Sequence, residues 1–230
     1  MIDEKKGLTL LIDKPLEWTS FDVVSKLRNA LCKKLKKKKV KVGHAGTLDP
    51  LATGLLIICA GKATKGIDLI QNQTKEYTGS ITLGATTPSY DLETEPDAHF
   101  ETAHITREDC RRAAAELTGE YDQMPPDFSA KKIKGEKAYD LARKGEKPEL
   151  KPKRISILEF ELTSIEMPVV HFRVTCSKGT YIRSLAYDFG EKLQSGAYLS
   201  SLRRTAIGDF TVDKAYTVEQ AVFAIQNNEL

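Results

Sequence analysis

Between Val42 and Gly54 the chain reads Val-Gly-His-Ala-Gly-Thr-Leu-Asp-Pro-Leu-Ala-Thr-Gly. Three glycines, one proline, His44 and Asp49 thus stand together just ahead of the apolar run Leu55–Ala60. Glycine permits positive φ and close backbone approach, and Pro50 fixes φ immediately after Asp49. A loop of this make-up holds one carboxylate in a set direction, as a carboxylate nucleophile or general base requires. The same residues also fit a structural Asx turn, because Asp before Pro commonly starts one. A second signal favours chemistry. Arg183 falls in the first turn of the helix expected after Gly179-Thr180, where the macrodipole disfavours a cation. A cation kept there implies an anionic partner, carboxylate or phosphate, and an Arg beside an Asp keeps that carboxyl ionised. The alternative is an Arg that faces solvent.

Other constellations carry less. Gly61-Lys62-Ala63-Thr64, after the earlier Gly54, faintly resembles a phosphate loop, but the spacing is wrong and Ala63 occupies the Ser/Thr position. The four histidines (44, 99, 104, 171) show no zinc-ligand spacing, so no metal site is legible. The four cysteines (32, 59, 110, 176) form no Cys-x-x-Cys pair and read as buried free thiols in a reducing, cytoplasmic compartment. Lys33, Lys34, Lys36, Lys37, Lys38, Lys39 and Lys41 crowd into nine positions. Such a run is either a solvated loop or a phosphate-binding arm. A second basic cluster, Lys131, Lys132, Lys134 and Lys137, lies beside Phe128 and Tyr139, a mixture that suits phosphates and bases together.

The elements that must carry these residues follow from periodicity. After the possible caps Thr19-Ser20, the residues Phe21, Val24, Leu27 and Leu31 recur at helical spacing, and the basic end of that helix meets the lysine run. Leu55–Ala60 reads as a buried strand and Glu76–Leu83 as a second. Thr106-x-x-Asp109 resembles a capping box, opening a helix expected to reach Thr118 with Gly119 as its stop. Residues 121–151 are turn-rich, with Pro125-Pro126, Gly135 and Gly145, and are expected to form a long loop with a short helix. Ile155–Leu162 and Val169–Cys176 read as strands, the latter alternating Val170, Phe172, Val174 and Cys176 on one face. Ile182, Leu185, Phe189 and Leu193 mark one face of a helix. Without a regular βαβ alternation, the class is α+β with a mostly antiparallel central sheet flanked by helices.

Composition bounds the rest. The 230 residues suit a single domain, and 40% hydrophobic with 29% charged residues is a globular balance. No apolar run approaches the roughly 20 residues of a membrane span. The first apolar stretch, Leu8–Ile12, stops at Asp13 and is too short for a secretory core.

The segment Gly43–Gly54 closely resembles the catalytic motif of TruB-type tRNA pseudouridine synthases. The resemblance continues through Asp13-Lys14-Pro15 with Thr19-Ser20, Gly61–Lys65, Lys75-Glu76-Tyr77, Gln123–Ala130, Tyr139–Gly145 and Cys176–Arg183, covering residues 8 to 208. It implies the pseudouridine synthase fold, with residues 1–230 as one catalytic domain. The implied reaction is isomerisation of uridine to pseudouridine at position 55 in the T-loop of tRNA, with no cofactor and no metal. Carried over by motif, Asp49 is the catalytic carboxylate, acting as nucleophile or as base. Tyr77 stacks on the target base, Arg183 pairs with Asp49, and His44 helps open the T-loop. Tyr181 and Leu202 line the uridine pocket, with Lys14 and Lys65 as local support. The implied partner is the T-loop stem-loop of tRNA, bound by a cytoplasmic monomer without guide RNA or membrane. Three departures stand out. Glu17 occupies a position where relatives usually have glycine. Of the family's Thr-Asp-Thr-x-Asp stretch, Thr86 and Asp91 are retained. About 25 residues follow Thr205, too few for the PUA module that many relatives carry. The lysine run is then expected to supply part of the grip on tRNA.

Overall fold

The computed structural model describes residues 7–129, 132–133, 136–144 and 148–229. From the N-terminus the elements are β1 (Leu8–Lys14), α1 (Ser20–Leu35), β2 (Val42–His44), β3 (Ala52–Ala60), a 3-10 turn (Gly61–Gly66), α2 (Ile67–Gln71) and β4 (Lys75–Leu83). Next come β5 (Ala85–Thr86), β6 (Ala98–His99), α3 (Arg107–Glu116), β7 (Gly119–Gln123), β8 (Lys132–Ile133), β9 (Glu136–Lys137) and α4 (Ala138–Arg143). The chain ends with β10 (Lys153–Glu166), β11 (Val169–Cys176), α5 (Ile182–Lys192), β12 (Ala197–Ile207), β13 (Phe210–Thr211) and α6 (Val218–Asn227). This is the expected α+β class with a mostly antiparallel sheet. Two compact units emerge, Met1–Tyr77 with Leu202–Leu230, and Thr78–Ser201.

In the first unit β3 is the central strand. It pairs antiparallel with β1, from Leu8 opposite Ala60 to Lys14 opposite Gly54, and antiparallel with β2 from Val42 opposite Ala60. The C-terminal half of β12 joins it in parallel, with Leu202, Arg203 and Arg204 beside Ala52, Thr53 and Gly54. Residues of β3 face apolar neighbours on both sides, which is why the run carries no polar alternation. Leu56 and Ile58 pack with Leu10, Ile12, Leu27, Leu31 and Ile225, while Leu55, Ile57 and Cys59 pack with Ala45 and Ile207.

Helix α1 starts where the sequence places it. Thr19 caps it, and the reciprocal bond from Asp22 completes a capping box. Its buried seam differs from the expected one, because Phe21 is exposed while Ser20, Val23 and Ala30 are buried. Phe21 instead lies under the Arg28 guanidinium, 5.5 Å from the ring centroid. The period was right and Val24, Leu27 and Leu31 are buried as expected, so Phe21 alone falls outside the seam.

In the second unit β4, β11, β10 and β7 are successive neighbours. Strand β11 has its expected bounds, with Val170, Phe172, Val174 and Cys176 buried. Helix α3 has the expected capping box at Thr106 and Asp109. It stops at Glu116, short of Thr118, and Gly119 at φ +108° opens β7 rather than ending the helix. Pairing with β10, from Ile157 opposite Gly119 to Lys153 opposite Gln123, draws this segment out of the expected loop. The expected short helix is α4. Ala130, Lys131, Lys134, Gly135 and Gly145 lie outside the described residues.

Candidate active site

Lys14, Gly54 and Arg204 form one rung of the sheet in the first unit. Lys14 is opposite Gly54 across β1 and β3, and Arg204 is opposite Gly54 across β12 and β3. Directly paired residues point to the same face. Two long cationic side chains therefore flank a residue that has none. Gly54, at φ +101°, is required there, since a Cβ would stand 2.3 Å from the Arg204 carbonyl oxygen. Lys14 is 0% exposed and Arg204 is 1% exposed.

Both cations reach the loop that carries Asp49. Arg204 donates from Nε to Leu55 O at 2.7 Å, from Nη2 to Gly46 O at 3.0 Å and from Nη1 to Thr47 O at 3.4 Å. Lys14 Nζ donates to Trp18 O at 2.6 Å, Pro15 O at 2.8 Å and Pro50 O at 3.3 Å, engaging all three of its protons. Buried Ser20 grips the residue before Asp49 twice, its Oγ accepting from Leu48 N–H at 2.8 Å and donating to Leu48 O at 2.9 Å. Glu17 N–H adds a bond to Pro50 O at 2.9 Å. Main-chain groups of Gly46, Thr47, Leu48 and Pro50 are thus all held by side chains or backbone from α1, β12 and the β1–α1 connection. Asp49, half-buried, is the carboxylate in that span, and its charge acts on Lys14.

The electrostatics agree. Burial pushes the Lys14 ammonium down to about 8, and the Arg204 charge adds to that, while the charges of Asp49 and Asp22 pull it back up. Two buried cations in one rung cost several kcal/mol of desolvation each unless their protons and charge are answered. Main-chain carbonyls answer the protons, and Asp49 answers part of the charge. One residue earlier on the same two strands, Arg203 makes a bidentate pair with Asp13 at 3.0 and 2.7 Å, fastening β12 to β1.

The remaining expected residues of this unit are His44, Tyr77 and Leu202. His44 ends β2, and burial followed by the Arg204 charge pushes its imidazole down, so the neutral ring is favoured. Its Nδ1 is buried without a hydrogen-bond partner. Tyr77 is buried on β4, and Leu202 is half-buried on β12 opposite Ala52. Lys65 is exposed on the 3-10 turn.

Tyr181 and Arg183 belong to the second unit. Tyr181 is the N-cap of α5 and offers no side-chain cap. Buried Gln123 compensates, accepting from Tyr181 N–H at 2.8 Å and donating to Tyr181 O at 3.1 Å. Arg183, 6% exposed, does not face solvent. It donates to Ser89 O at 3.1 Å and Phe128 O at 2.8 Å, and its Nε lies 3.6 Å from the Asp91 carboxylate. The anion implied by a first-turn arginine therefore includes Asp91, itself tied to Ser89 Oγ at 2.6 Å.

Sequence reasoning missed three of these parts. Arg204 lies outside every motif singled out, and nothing in its spacing separates it from half-exposed Arg203. Ser20 was read only as a cap, and Asp91 only as a remnant of a motif. Glu17, by contrast, explains itself. Its φ of +67° lies in the left-handed region that favours glycine.

Comparison with known proteins places the chain. The family model described as TruB family pseudouridylate synthase (N terminal domain) matches residues 33–182. The chain belongs to the TruB family. A model described as tRNA pseudouridylate synthase B C-terminal domain matches residues 183–229. Among TruB relatives, a protein of Phocaeicola vulgatus named tRNA pseudouridine synthase B is 57% identical over 215 residues, covering 94% of this chain and 92% of its own. A Bacteroides thetaiotaomicron protein of the same name is 51% identical over 230 residues, covering 98% and 96%. Among solved structures, a Cbf5-Nop10-Gar1 complex superposes with a TM-score of 0.72 at 27% identity, over 98% of this chain and 57% of that one. An H/ACA ribonucleoprotein bound to a substrate RNA containing 2'-deoxyuridine gives 0.70 at 26% identity, over 98% and 56%. This chain spans a little over half the length of those two structures. As a TruB-family pseudouridine synthase, the protein is an isomerase.

Proposed function

We propose that the protein converts the T-loop uridine at tRNA position 55 into pseudouridine, with Asp49 as its catalytic carboxylate. The observation that carries this reading is the clamped loop, in which buried Ser20, Lys14 and Arg204 hold the main chain on both sides of Asp49. An aimed, preorganised carboxylate is of use to chemistry and of none to a pure RNA binder. In the reaction the ribose C1′–N1 bond breaks, the uracil turns, and a C1′–C5 bond forms. The hydrogen on C5 leaves as a proton and N1 takes one up, so no cofactor enters the balance. Asp49 acts either by bonding transiently to ribose or base, or as the base that lets the glycosidic bond break. The target must first leave the loop's stack. Tyr77 receives it as a stacking platform, a contact of about 1–3 kcal/mol per base. His44, favoured neutral, helps open the T-loop, and Tyr181 and Leu202 line the uridine pocket. Arg183 pairs with the Asp49 carboxylate in the complex. Residues 1–230 are read as a single catalytic domain, in a cytoplasmic monomer that reads the T-arm without a guide RNA.

The test uses an unmodified tRNA transcript tritiated at uridine C5, with wild type beside Asp49→Asn and the product position mapped. Release by wild type alone, from the single T-loop uridine, is expected. Tight tRNA binding without release would instead indicate an RNA-binding protein that has kept the scaffold. Full release by Asp49→Asn would remove the aspartate from the chemistry.

A further inference from the structure

The lysine run is the strongest charged feature that the active site does not use. From Val23 to Leu48 the sequence has no carboxylate and nine Lys or Arg residues, in a chain whose formal net charge is only +3. The rest of the chain is therefore net negative, and the positive potential is concentrated in one place. Seven of those cations are the lysines at 33, 34, 36–39 and 41, and all of them except half-buried Lys34 are exposed.

A run of like charge normally repels itself into a solvated, unordered segment. This one is fastened at both ends. Lys36 closes α1 in the left-handed conformation at φ +52°, its N–H bonded to Cys32 O and Lys33 O. Lys37 N–H reaches Cys32 O at 3.0 Å, and Gly61 N–H reaches Lys41 O at 2.8 Å. Lys34 Nζ donates to Gln226 O at 2.7 Å, tying the end of α1 to α6. Beneath the loop, a cavity of about 190 Å³ has Leu8, Leu31 and Val40 among its walls and Lys37, Lys39 and Lys41 at its edge. Holding five mutually repelling cations on a short anchored connection has an electrostatic cost, which a polyanion would relieve. The connection also runs straight into the reaction centre. Lys41 directly precedes β2, and His44 ends that strand, about 10 Å further along at the usual strand rise. A duplex carries a charge about every 1.7 Å of its axis, so an RNA arm engaged at His44 presents several phosphates within reach of these lysines.

We propose that Lys36–Lys41 is a phosphate platform that grips the RNA substrate outside the loop where the reaction occurs. The inference rests on the proposed tRNA substrate, and wild-type tritium release checks that reading separately. The experiment compares wild type with the quadruple variant Lys36→Gln, Lys38→Gln, Lys39→Gln, Lys41→Gln. All four positions are exposed and lie outside helices and strands, and circular dichroism and Tm verify folding. Affinity for an unmodified tRNA transcript is measured by filter binding at several salt concentrations, alongside steady-state tritium release. The slope of log K against log salt is expected to become shallower by about 3, at roughly 0.7–0.9 per lysine. The accompanying activity loss, tenfold or more near physiological salt, is expected in KM rather than kcat. If wild type releases tritium and the variant has the same slope and the same KM, the platform is refuted and the tRNA reading stands. If the variant loses kcat with KM and slope unchanged, the lysines act on the active-site loop rather than on phosphate, and the proposal also fails.

Discussion

Replacing Arg204 by methionine tests whether the rung beneath the active-site loop sets its activity. Methionine keeps most of the apolar stem and removes the donors to Gly46 O, Thr47 O and Leu55 O. Leaving a buried carbonyl unpaired costs about 1–3 kcal/mol, so three lost bonds give a gross penalty of roughly 3–9 kcal/mol. An opposing effect comes from no longer burying a guanidinium, whose effective desolvation cost is itself several kcal/mol. Relief of its repulsion with Lys14 acts in the same direction. The net loss of stability is therefore small, about 1–3 kcal/mol. Catalysis has no such compensation. With Gly46 and Thr47 released, the clamp on the N-terminal side of Asp49 is reduced to Leu48, and a displacement of about 1 Å in a reacting group costs on the order of 10²-fold in rate. Single-turnover tritium release at saturating enzyme is expected to slow by about 10²-fold, with tRNA affinity nearly unchanged. Arg204→Lys keeps the charge but lacks the fork that reaches three acceptors, so it is expected to recover only part of that loss. A folded Arg204→Met protein within threefold of the wild-type rate would refute the reasoning. So would a loss that appeared entirely as weaker tRNA binding.

Two further perturbations probe the surroundings. Glu17, exposed at φ +67°, bears a left-handed penalty of about 1–2 kcal/mol. Glycine removes it at an entropic cost of roughly 0.5–1 kcal/mol. Glu17→Gly should therefore gain about 0.5–1 kcal/mol in urea unfolding, whereas Glu17→Ala should gain nothing, and a destabilised glycine variant would contradict the strain. Burial pushes the Asp188 carboxyl from 3.8 up to about 6, opposed by the Tyr121 hydroxyl that donates to it. Its folded value lies above its unfolded one, so its contribution to stability is fully present below pH 3.8. That contribution is lost as pH rises through about 6, an interval equivalent to about 3 kcal/mol at most. Asp188→Asn, which keeps an acceptor for Tyr121, should match wild type near pH 4 and exceed it by about 1–3 kcal/mol at pH 8. Parallel stability–pH curves for the two proteins would show that Asp188 is not the source.

The parts legible in the sequence were local ones. The capping box at Thr106 was visible because cap and partner are three residues apart, and Thr19 was legible as a possible cap, whereas its box with Asp22 appears only in the structure. Strand β11 was visible because one buried face imposes a strict alternation. The first-turn position of Arg183 signalled an anionic partner, and the Asp91 carboxylate lies 3.6 Å from its Nε. Errors arose where a distant segment decided the outcome. Phe21 has the right period for the α1 core, yet the seam against β3 and α6 excludes it. Gly119 has the right residue type for a helix stop, yet pairing with β10 makes it the start of β7.

Residue order alone dictates that Asp49 sits in a glycine- and proline-bounded loop just ahead of a buried strand. It also determined which short segments resemble those of a known family, because both properties reside in neighbouring residues. What holds that loop in place comes instead from long-range strand pairing. Lys14, Gly54 and Arg204 are far apart in the chain and become one rung through an antiparallel pairing on one side of β3 and a parallel pairing on the other. Register of that kind depends on which strands meet. No local pattern distinguishes the buried Arg204, bonded to three carbonyls, from the half-exposed Arg203 beside it.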